Sequence, residues 1–195
     1  MAAEARATLA LLALLLAPAL HAQAPPQAET CVACHGAGGN SRISGQPSIA
    51  GQPKTFIENQ LVLIREGLRD VPTMAPIVKG LSDEDITALA RHFSALPAVP
   101  APGGKAVPER QRAGAELSKK LLCGTCHLPG YVGQNQVPRL SGQDEAYLLL
   151  AMKQFRDSPG PGRDTIMSST LRGLNDTELG QLAHYLALVP PSAAR

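Results

Sequence analysis

Apolar residues recur at the spacing of a helix in four stretches of the chain. The spacing predicts helices that begin near Lys54 and Glu145 and helices that end at about Ala95 and Leu188, each before a proline. The predicted core faces are Phe56, Ile57, Leu61 and Ile64; Ile86, Leu89, Ala90 and Phe93; Tyr147, Leu148, Met152 and Phe155; and Leu179, Leu182, Ala183 and Leu186. No long alternating pattern typical of strands occurs, so the sequence predicts an all-α fold.

The last helix in each half of the chain begins with the same polar pattern. Ser82 stands three residues before Asp85, so its hydroxyl is expected to accept the Asp85 amide in a capping box. Asn175 and Glu178 repeat this spacing, which indicates two helices of one kind.

Three blocks of sequence occur twice in the same order. The pairs are 31–35 with 123–127, 47–52 with 138–143, and 80–86 with 173–179, at offsets of 92, 91 and 93 residues. The repeat predicts two tandem lobes, 25–96 and 109–195, joined by the Pro- and Gly-rich linker 97–108. Each lobe has fewer than 100 residues, a size that usually needs a covalent or metal staple.

The N-terminus has the pattern of an export signal. Arg6 precedes the apolar run Ala7–Ala17, and Ala19 and Ala22 put small residues near the expected cleavage site. This pattern predicts a signal peptide at 1–22, removed on export to the periplasm. The run is too short to span a bilayer, which needs roughly 20 residues. We therefore expect no transmembrane anchor and at most peripheral contact with the membrane.

Composition narrows the classes of function. Of the 195 residues, 44% are hydrophobic, which excludes a disordered chain. A formal net charge of +2 is too small to indicate a nucleic-acid-binding protein. We expect a monomer whose partners are other proteins and not nucleic acid.

All four cysteines lie in two Cys-x-x-Cys-His motifs, the attachment signature of c-type haem. Each thiol of such a motif adds across one porphyrin vinyl group, and two intervening residues match the distance between the vinyls. The histidine that follows then lies under the iron. The motifs predict two covalently bound haem c groups, attached through Cys31, Cys34, Cys123 and Cys126, with His35 and His127 as iron ligands.

Other uses of the cysteines explain less. A disulfide within one motif suits an exported protein but leaves the following histidine without a role. A thioredoxin-like site has a single motif in a βαβ context. A zinc site built from both pairs would join motifs 92 residues apart, whereas ribbon-type sites use about 15 to 20.

The second axial position of each iron needs a further ligand. Met74 and Met167 differ by 93 residues, the offset of the block that follows them, and both stand in Pro- or Gly-flanked segments expected to be loops. Met152 aligns with Leu61 on an apolar helix face and is expected in the core. The repeat therefore predicts Met74 and Met167 as the sixth ligands.

The remaining two histidines of the mature chain are not expected to bind iron, and two prolines are expected to lie near the motif histidines. His92 and His184 do not match across the repeat and are expected on helix surfaces or beside the haem propionates. Pro47 and Pro138 follow the motif histidines by 12 and 11 residues. Their carbonyls are candidates to fix the histidine tautomers, and a plain turn role is the alternative.

These motifs together resemble the diheme class I cytochromes c of the c-four kind. The resemblance rests on 31–36, 39–41, 49–52, 74–76 and 80–90, and on 123–127, 140–143, 155–157 and 167–182. It implies two all-helical lobes, each wrapped around one covalent haem, with the haems near each other across a pseudo-twofold interface. One departure is the short segment 25–30, which leaves no room for the helix that usually precedes the motif. In lobe 2, 109–122 supplies that helix.

The resemblance implies a carrier of single electrons between a quinol-oxidising complex or dehydrogenase and a terminal oxidase, and not an enzyme. The alternative is a tightly bound electron-accepting subunit of a dehydrogenase, such as a sulfide-oxidising flavocytochrome, whose cytochrome subunit has a similarly short segment before its first motif. A third hypothesis is a diheme peroxidase or a thiosulfate-oxidising cytochrome. That chemistry needs an open haem position or a cysteine ligand, and both motifs already use every cysteine.

Overall fold

A computed structural model describes residues 24–191, so the predicted signal peptide, 1–22, lies outside the described residues. Within them the chain forms nine α-helices, and an isolated bridge between Gln134 and Val137 is the one β-type pairing. The helices are α1 (Ala28–His35), α2 (Lys54–Arg65), α3 (Ala75–Val78), α4 (Asp83–Ala95), α5 (Pro108–Lys120), α6 (Cys123–Cys126), α7 (Glu145–Asp157), α8 (Thr165–Leu171) and α9 (Asp176–Leu188). The all-α prediction is confirmed.

Both predicted capping boxes are present at the starts of α4 and α9. The Ser82 hydroxyl accepts the Asp85 amide at 3.1 Å, and the Asp85 carboxylate accepts the Ser82 amide at 3.0 Å. Asn175 and Glu178 make the same exchange at 3.0 and 2.8 Å. Two orphan amides at each helix start are thereby satisfied, which explains why both helices begin where the sequence indicated.

Each lobe packs its helices around its own apolar cluster. The core of lobe 1 is Ala28, Ile57, Leu89, Ala90 and Phe93, and the core of lobe 2 is Leu148, Met152, Leu171, Leu179, Leu182, Ala183 and Leu186. The inward faces predicted for α4 and α9 are buried throughout. Met152 lies in the core of lobe 2, as its alignment with an apolar position indicated.

The lobes differ most at their N-terminal sides. In lobe 2, α5 packs across α9, and Gly114 lies at the crossing, where a Cβ would meet the Gln181 carbonyl oxygen at 2.2 Å. In lobe 1, α1 begins only at Ala28 and already contains the first cysteine motif. The structure thus agrees with the short segment before that motif.

The connection between the lobes is tied to both of them. Residues 97–107 form no helix. The Asn40 side chain donates to the Pro97 carbonyl at 3.0 Å and accepts the Val99 amide at 2.8 Å. The Ala101 amide donates to the Gly142 carbonyl of lobe 2 at 2.9 Å. Hydrogen bonds to both lobes therefore hold this Pro-rich segment in one path.

Candidate haem-attachment sites

The first motif lies on a continuous helix. Cys31 is half-buried and Cys34 is exposed, one turn apart on α1, and His35 is the buried last residue of that helix. Gly36 ends the helix at φ 79°, and a Cβ there would lie 2.2 Å from the Asn40 carbonyl oxygen. Only glycine fits this position, because both its backbone conformation and the close chain approach exclude a side chain.

The second motif forms a turn of its own. After α5 ends, Leu122 adopts a left-handed conformation (φ 56°) and the chain restarts as the single turn Cys123–Cys126. Cys123 is half-buried, Cys126 is exposed and His127 is buried. In both motifs the first cysteine is half-buried, the second cysteine is exposed and the histidine is buried. The local backbone differs, because the first motif continues a longer helix and the second forms a separate turn.

Each motif histidine donates a hydrogen bond to a proline carbonyl. The distance from His35 Nδ1 to the Pro47 oxygen is 2.8 Å, and the distance from His127 Nδ1 to the Pro138 oxygen is also 2.8 Å. A carbonyl can only accept, so Nδ1 carries the proton and the Nε2 lone pair of each ring is left for a metal. Both contacts that the sequence suggested are present.

Burial sets the protonation of these groups. It lowers the pKa of His35 and of His127, while the proline carbonyls partly oppose the shift. Burial also raises the pKa of the Cys31 and Cys123 thiols. The neutral imidazole is the state in which histidine binds a metal.

This donor set fits covalent haem better than the other uses of cysteine. All four thiols are free, and the two pairs lie in separate lobes. Among residues 24–191 no group of three or more His, Cys, Asp or Glu side chains could hold a metal ion. A zinc site that joins the two cysteine pairs is therefore excluded.

The two predicted methionine ligands occupy different backbone settings. Met74 is half-buried and directly precedes α3, as expected for a loop residue. The loop expectation is wrong for Met167, which lies in the first turn of α8 and packs against the core of lobe 2. The reason is a cap: the Asp164 carboxylate accepts the Met167 amide at 2.9 Å and starts a helix there.

His184 is not a surface residue, which corrects the sequence-based expectation. Its ring is 2% exposed. Nε2 accepts the Val107 amide at 3.0 Å, and Nδ1 donates to the Glu145 carboxylate at 2.9 Å. The chain entering α5 covers this position in lobe 2, whereas the equivalent Arg91 of lobe 1 has no such cover and is exposed. His92 is half-buried and packs edge-on against Phe93.

Sequence reasoning missed three buried polar residues between the lobes. Gln52, Gln143 and Arg139 are only 4%, 2% and 2% exposed. The signal was present, because a Gly-Gln pair recurs in both lobes. Each of them, however, has a hydrogen-bond partner in the opposite lobe, which a local pattern does not reveal.

Comparison with known proteins places the chain among diheme cytochromes. The family described as "Cytochrome C oxidase, cbb3-type, subunit III" matches residues 24–92. A thiosulfate dehydrogenase electron acceptor of Thiomonas intermedia is 36% identical, over 92% of this chain and 87% of that protein. Cytochrome c4 of Azotobacter vinelandii is 31% identical, over 82% of this chain and 84% of that protein.

The fold agrees with these relatives. The crystal structure of reduced recombinant cytochrome c4 from Pseudomonas stutzeri superposes with a TM-score of 0.76 at 29% identity, covering 84% of this chain and 96% of that chain. The superposition thus extends along nearly the whole length of a protein with two class I cytochrome lobes. The chain belongs to the cytochrome c4 family, whose members are diheme class I cytochromes c that carry two covalently bound haems.

Proposed function

We propose that this protein carries single electrons in the periplasm, from a quinol-oxidising complex or a dehydrogenase to a terminal oxidase. The observation that supports this most is the duplicated ligand arrangement. In both lobes a buried, neutral histidine is held by a proline carbonyl with Nε2 left free. Bound haem supplies the one-electron couple, and the chain's task is to hold it, shield it from water and set its potential.

Export to the periplasm is part of the proposal. The sequence pattern at 1–22 supports a cleaved signal peptide. Among residues 24–191, none of the helices combines the length and the apolar character that a membrane span needs.

Met74 and Met167 are proposed as the sixth ligands, each for its own lobe. Their common 93-residue offset supports the assignment, as does their half-buried position at the start of a short helix, α3 or α8. A thioether favours ferrous iron and thereby raises the reduction potential. Such ligands suit a carrier that delivers electrons to an oxidase at the high-potential end of a chain.

A dehydrogenase is the electron donor that the comparisons favour. The Thiomonas relative is named as an electron acceptor of thiosulfate dehydrogenase, and 36% identity over most of both chains makes a similar donor reasonable for this protein. The same observation supports the alternative function, a subunit that stays bound to its dehydrogenase. Carrier and subunit differ in affinity for the donor rather than in chemistry.

Rapid mixing tests the proposed function. Oxidised holoprotein is mixed with a thiosulfate-oxidising dehydrogenase and its substrate, and then with a terminal oxidase, while the haem absorbance is followed. A carrier is reduced by the first, reoxidised by the second, and elutes apart from the dehydrogenase on size exclusion. Co-elution would favour the subunit. No reduction by either a dehydrogenase or a quinol-oxidising complex would contradict both functions.

Carbon monoxide separates the carrier from an enzyme with an open haem. With both axial positions filled, the reduced protein is expected to bind carbon monoxide slowly, because an iron–sulfur bond must break first. Rapid, stoichiometric binding at neutral pH would contradict methionine ligation and support haem catalysis instead.

A further inference from the structure

The two lobes meet through the segments that hold the motif histidines. We call residues 45–52 strap 1 and residues 136–143 strap 2. Strap 1 contains the carbonyl that accepts from His35, and strap 2 contains the carbonyl that accepts from His127. Each strap ends in a buried glutamine, and the side chain of that glutamine makes no hydrogen bond to the strap that contains it.

Gln143 of strap 2 clamps strap 1. Its Oε1 accepts the Ser48 amide at 2.8 Å, and its Nε2 donates to the Ser48 carbonyl at 2.9 Å. The Ser48 amide belongs to the same rigid peptide group as the Pro47 carbonyl. One peptide plane therefore accepts from His35 at one end and donates to Gln143 at the other.

Gln52 of strap 1 makes the matching clamp on strap 2. Its Oε1 accepts the Arg139 amide at 2.9 Å, and its Nε2 donates to the Arg139 carbonyl at 3.0 Å. The Arg139 amide shares its peptide group with the Pro138 carbonyl, which accepts from His127 at 2.8 Å. The two clamps are related by the internal repeat and run in opposite directions across the interface.

Each clamp acts on the histidine in two ways. It fixes the plane of the peptide, and hence the direction in which the proline carbonyl points. It also polarises that peptide, because a hydrogen bond accepted from its N–H strengthens its C=O as an acceptor. A stronger acceptor at Nδ1–H makes the imidazole a more basic ligand, which stabilises ferric iron.

We propose that Gln52 is a positioning residue for His127 and that Gln143 is a positioning residue for His35, so that each lobe sets the ligand strength in the other. The inference rests on the proposed function, since it assigns these histidines as iron ligands. It predicts a crossed effect: loss of either glutamine changes the haem of the opposite lobe. An interface that merely joined the lobes would show no such crossing.

The test uses full-length holoprotein with Gln52→Met or Gln143→Met. Methionine keeps the length of the side chain and removes both hydrogen bonds. The Nδ1–H resonances of the two histidines are followed by NMR in the reduced state with ¹⁵N-labelled histidine, and both midpoint potentials are measured by spectroscopic titration. Asn59→Ala is the matched control, because Asn59 bonds Gln136 of strap 2 at 3.4 Å without contacting a histidine-binding peptide.

In Gln52→Met the His127 Nδ1–H signal is expected to move and to exchange with solvent about tenfold faster, as for the loss of one buried hydrogen bond. The potential of lobe 2 should rise while that of lobe 1 stays. Gln143→Met should give the mirror result on His35, and Asn59→Ala should leave both signals in place. If a methionine variant fails to fold, Gln52→Asn and Gln143→Asn shorten the clamp, retain a carboxamide and test the same crossing.

Three outcomes would overturn the proposal: no change in either histidine signal, a change in the mutated lobe alone, or equal changes in both lobes. None of these bears on whether the wild-type protein takes electrons from a dehydrogenase and passes them on. Failure of the clamp and failure of the proposed function are therefore separate results.

Discussion

Replacing Gly114 with alanine is expected to destabilise lobe 2, although alanine is the better helix former. Gly114 lies on α5 where it crosses α9, and an added Cβ would lie 2.2 Å from the Gln181 carbonyl oxygen and 2.6 Å from the Tyr185 Cβ. Non-bonded carbon atoms are favourable at about 3.5–4.0 Å. Neither obstacle can rotate away, because one is backbone and the other is attached directly to it, so the helices must separate by about 1 Å or more.

The expected magnitude is the difference between two opposing effects. Alanine favours a helix interior over glycine by about 1 kcal/mol. Overpacking costs about 1–3 kcal/mol, and displacement of a whole helix belongs at the upper end of that range. The net loss in the free energy of unfolding of lobe 2 is therefore about 2 kcal/mol, which lowers its Tm by roughly 10 °C.

Gly180 provides the matched control on the partner helix. It lies in α9, and the nearest atom to a Cβ there is Arg110 Nη2 at 3.8 Å, an ordinary contact. Gly180→Ala should therefore gain only the helix preference, about 1 kcal/mol. The two variants make the same chemical change and are expected to have opposite signs.

Thermal unfolding of the oxidised holoprotein measures both variants. Far-ultraviolet circular dichroism reports the helices, and the sulfur-to-iron charge-transfer band reports the haem environment. The lobes can unfold in separate transitions, so each transition is fitted on its own. A Gly114→Ala protein that is as stable as Gly180→Ala, or more so, would refute the close crossing of α5 and α9.

Three further predictions concern the haems and the charge beside them. Replacing Cys123 and Cys126 with alanine should halve the covalent haem, measured by pyridine haemochrome after acid–acetone extraction. Met167→His should lower one midpoint potential by several times 59 mV, where 59 mV is about 1.4 kcal/mol. The same variant should lose part of the sulfur-to-iron charge-transfer band. Met152→Leu, the control, should leave both potentials unchanged and lower the free energy of unfolding by less than roughly 1.5 kcal/mol. Arg139→Gln should lower at least one potential in the same titration, because removing a buried cation relieves its repulsion of ferric iron.

The helices and their caps could be predicted because their causes are local. The hydroxyl of Ser82 and the carboxamide of Asn175 lie three residues from the amides that they accept, so the sequence alone specifies the contact. The same holds for the cysteine motifs, whose spacing is dictated by the chemistry of attachment. Met152 was placed correctly because an internal repeat supplied the apolar residue to compare it with.

The features that escaped prediction depend on contacts between distant segments. The mismatch of His184 across the repeat favours a helix surface or a position beside a haem propionate, but the chain before α5 covers this residue. The described part of lobe 1, from residue 24 onward, has no helix equivalent to α5. Met167 lies in a helix because Asp164 caps it, a signal present in the sequence but outweighed there by the preceding Pro and Gly residues. The hydrogen bonds of the Gln52 and Gln143 side chains cross between the lobes, so they depend on how the lobes pack and not on the local sequence.

The hydrogen bonds from a glutamine side chain to the opposite strap occur twice at the interface, but a buried guanidinium occurs only once among the described residues. The residue after the histidine-binding proline is Ser48 in strap 1 and Arg139 in strap 2. The Arg139 guanidinium donates to the carbonyls of Ala50 and Ser141, one in each lobe, and its Nε has no partner among the described residues. Burial lowers the pKa of Arg139 to about 10, which leaves it charged at neutral pH.

Two identical lobes related by a twofold axis would have equal potentials, and an electron would have no preferred direction between them. Within the straps, the charge differs at one position, because Ser48 of strap 1 corresponds to Arg139 of strap 2. Arg139 is part of the peptide that polarises the His127 contact and places a buried cation, without a carboxylate partner in residues 24–191, between the straps. Repetition of the clamps gives both motif histidines the same hydrogen bond to a proline carbonyl, while the buried charge of Arg139 is not repeated. A difference in potential between the two haems would give the electron a preferred direction, and the Arg139→Gln titration measures how much of that difference this charge supplies.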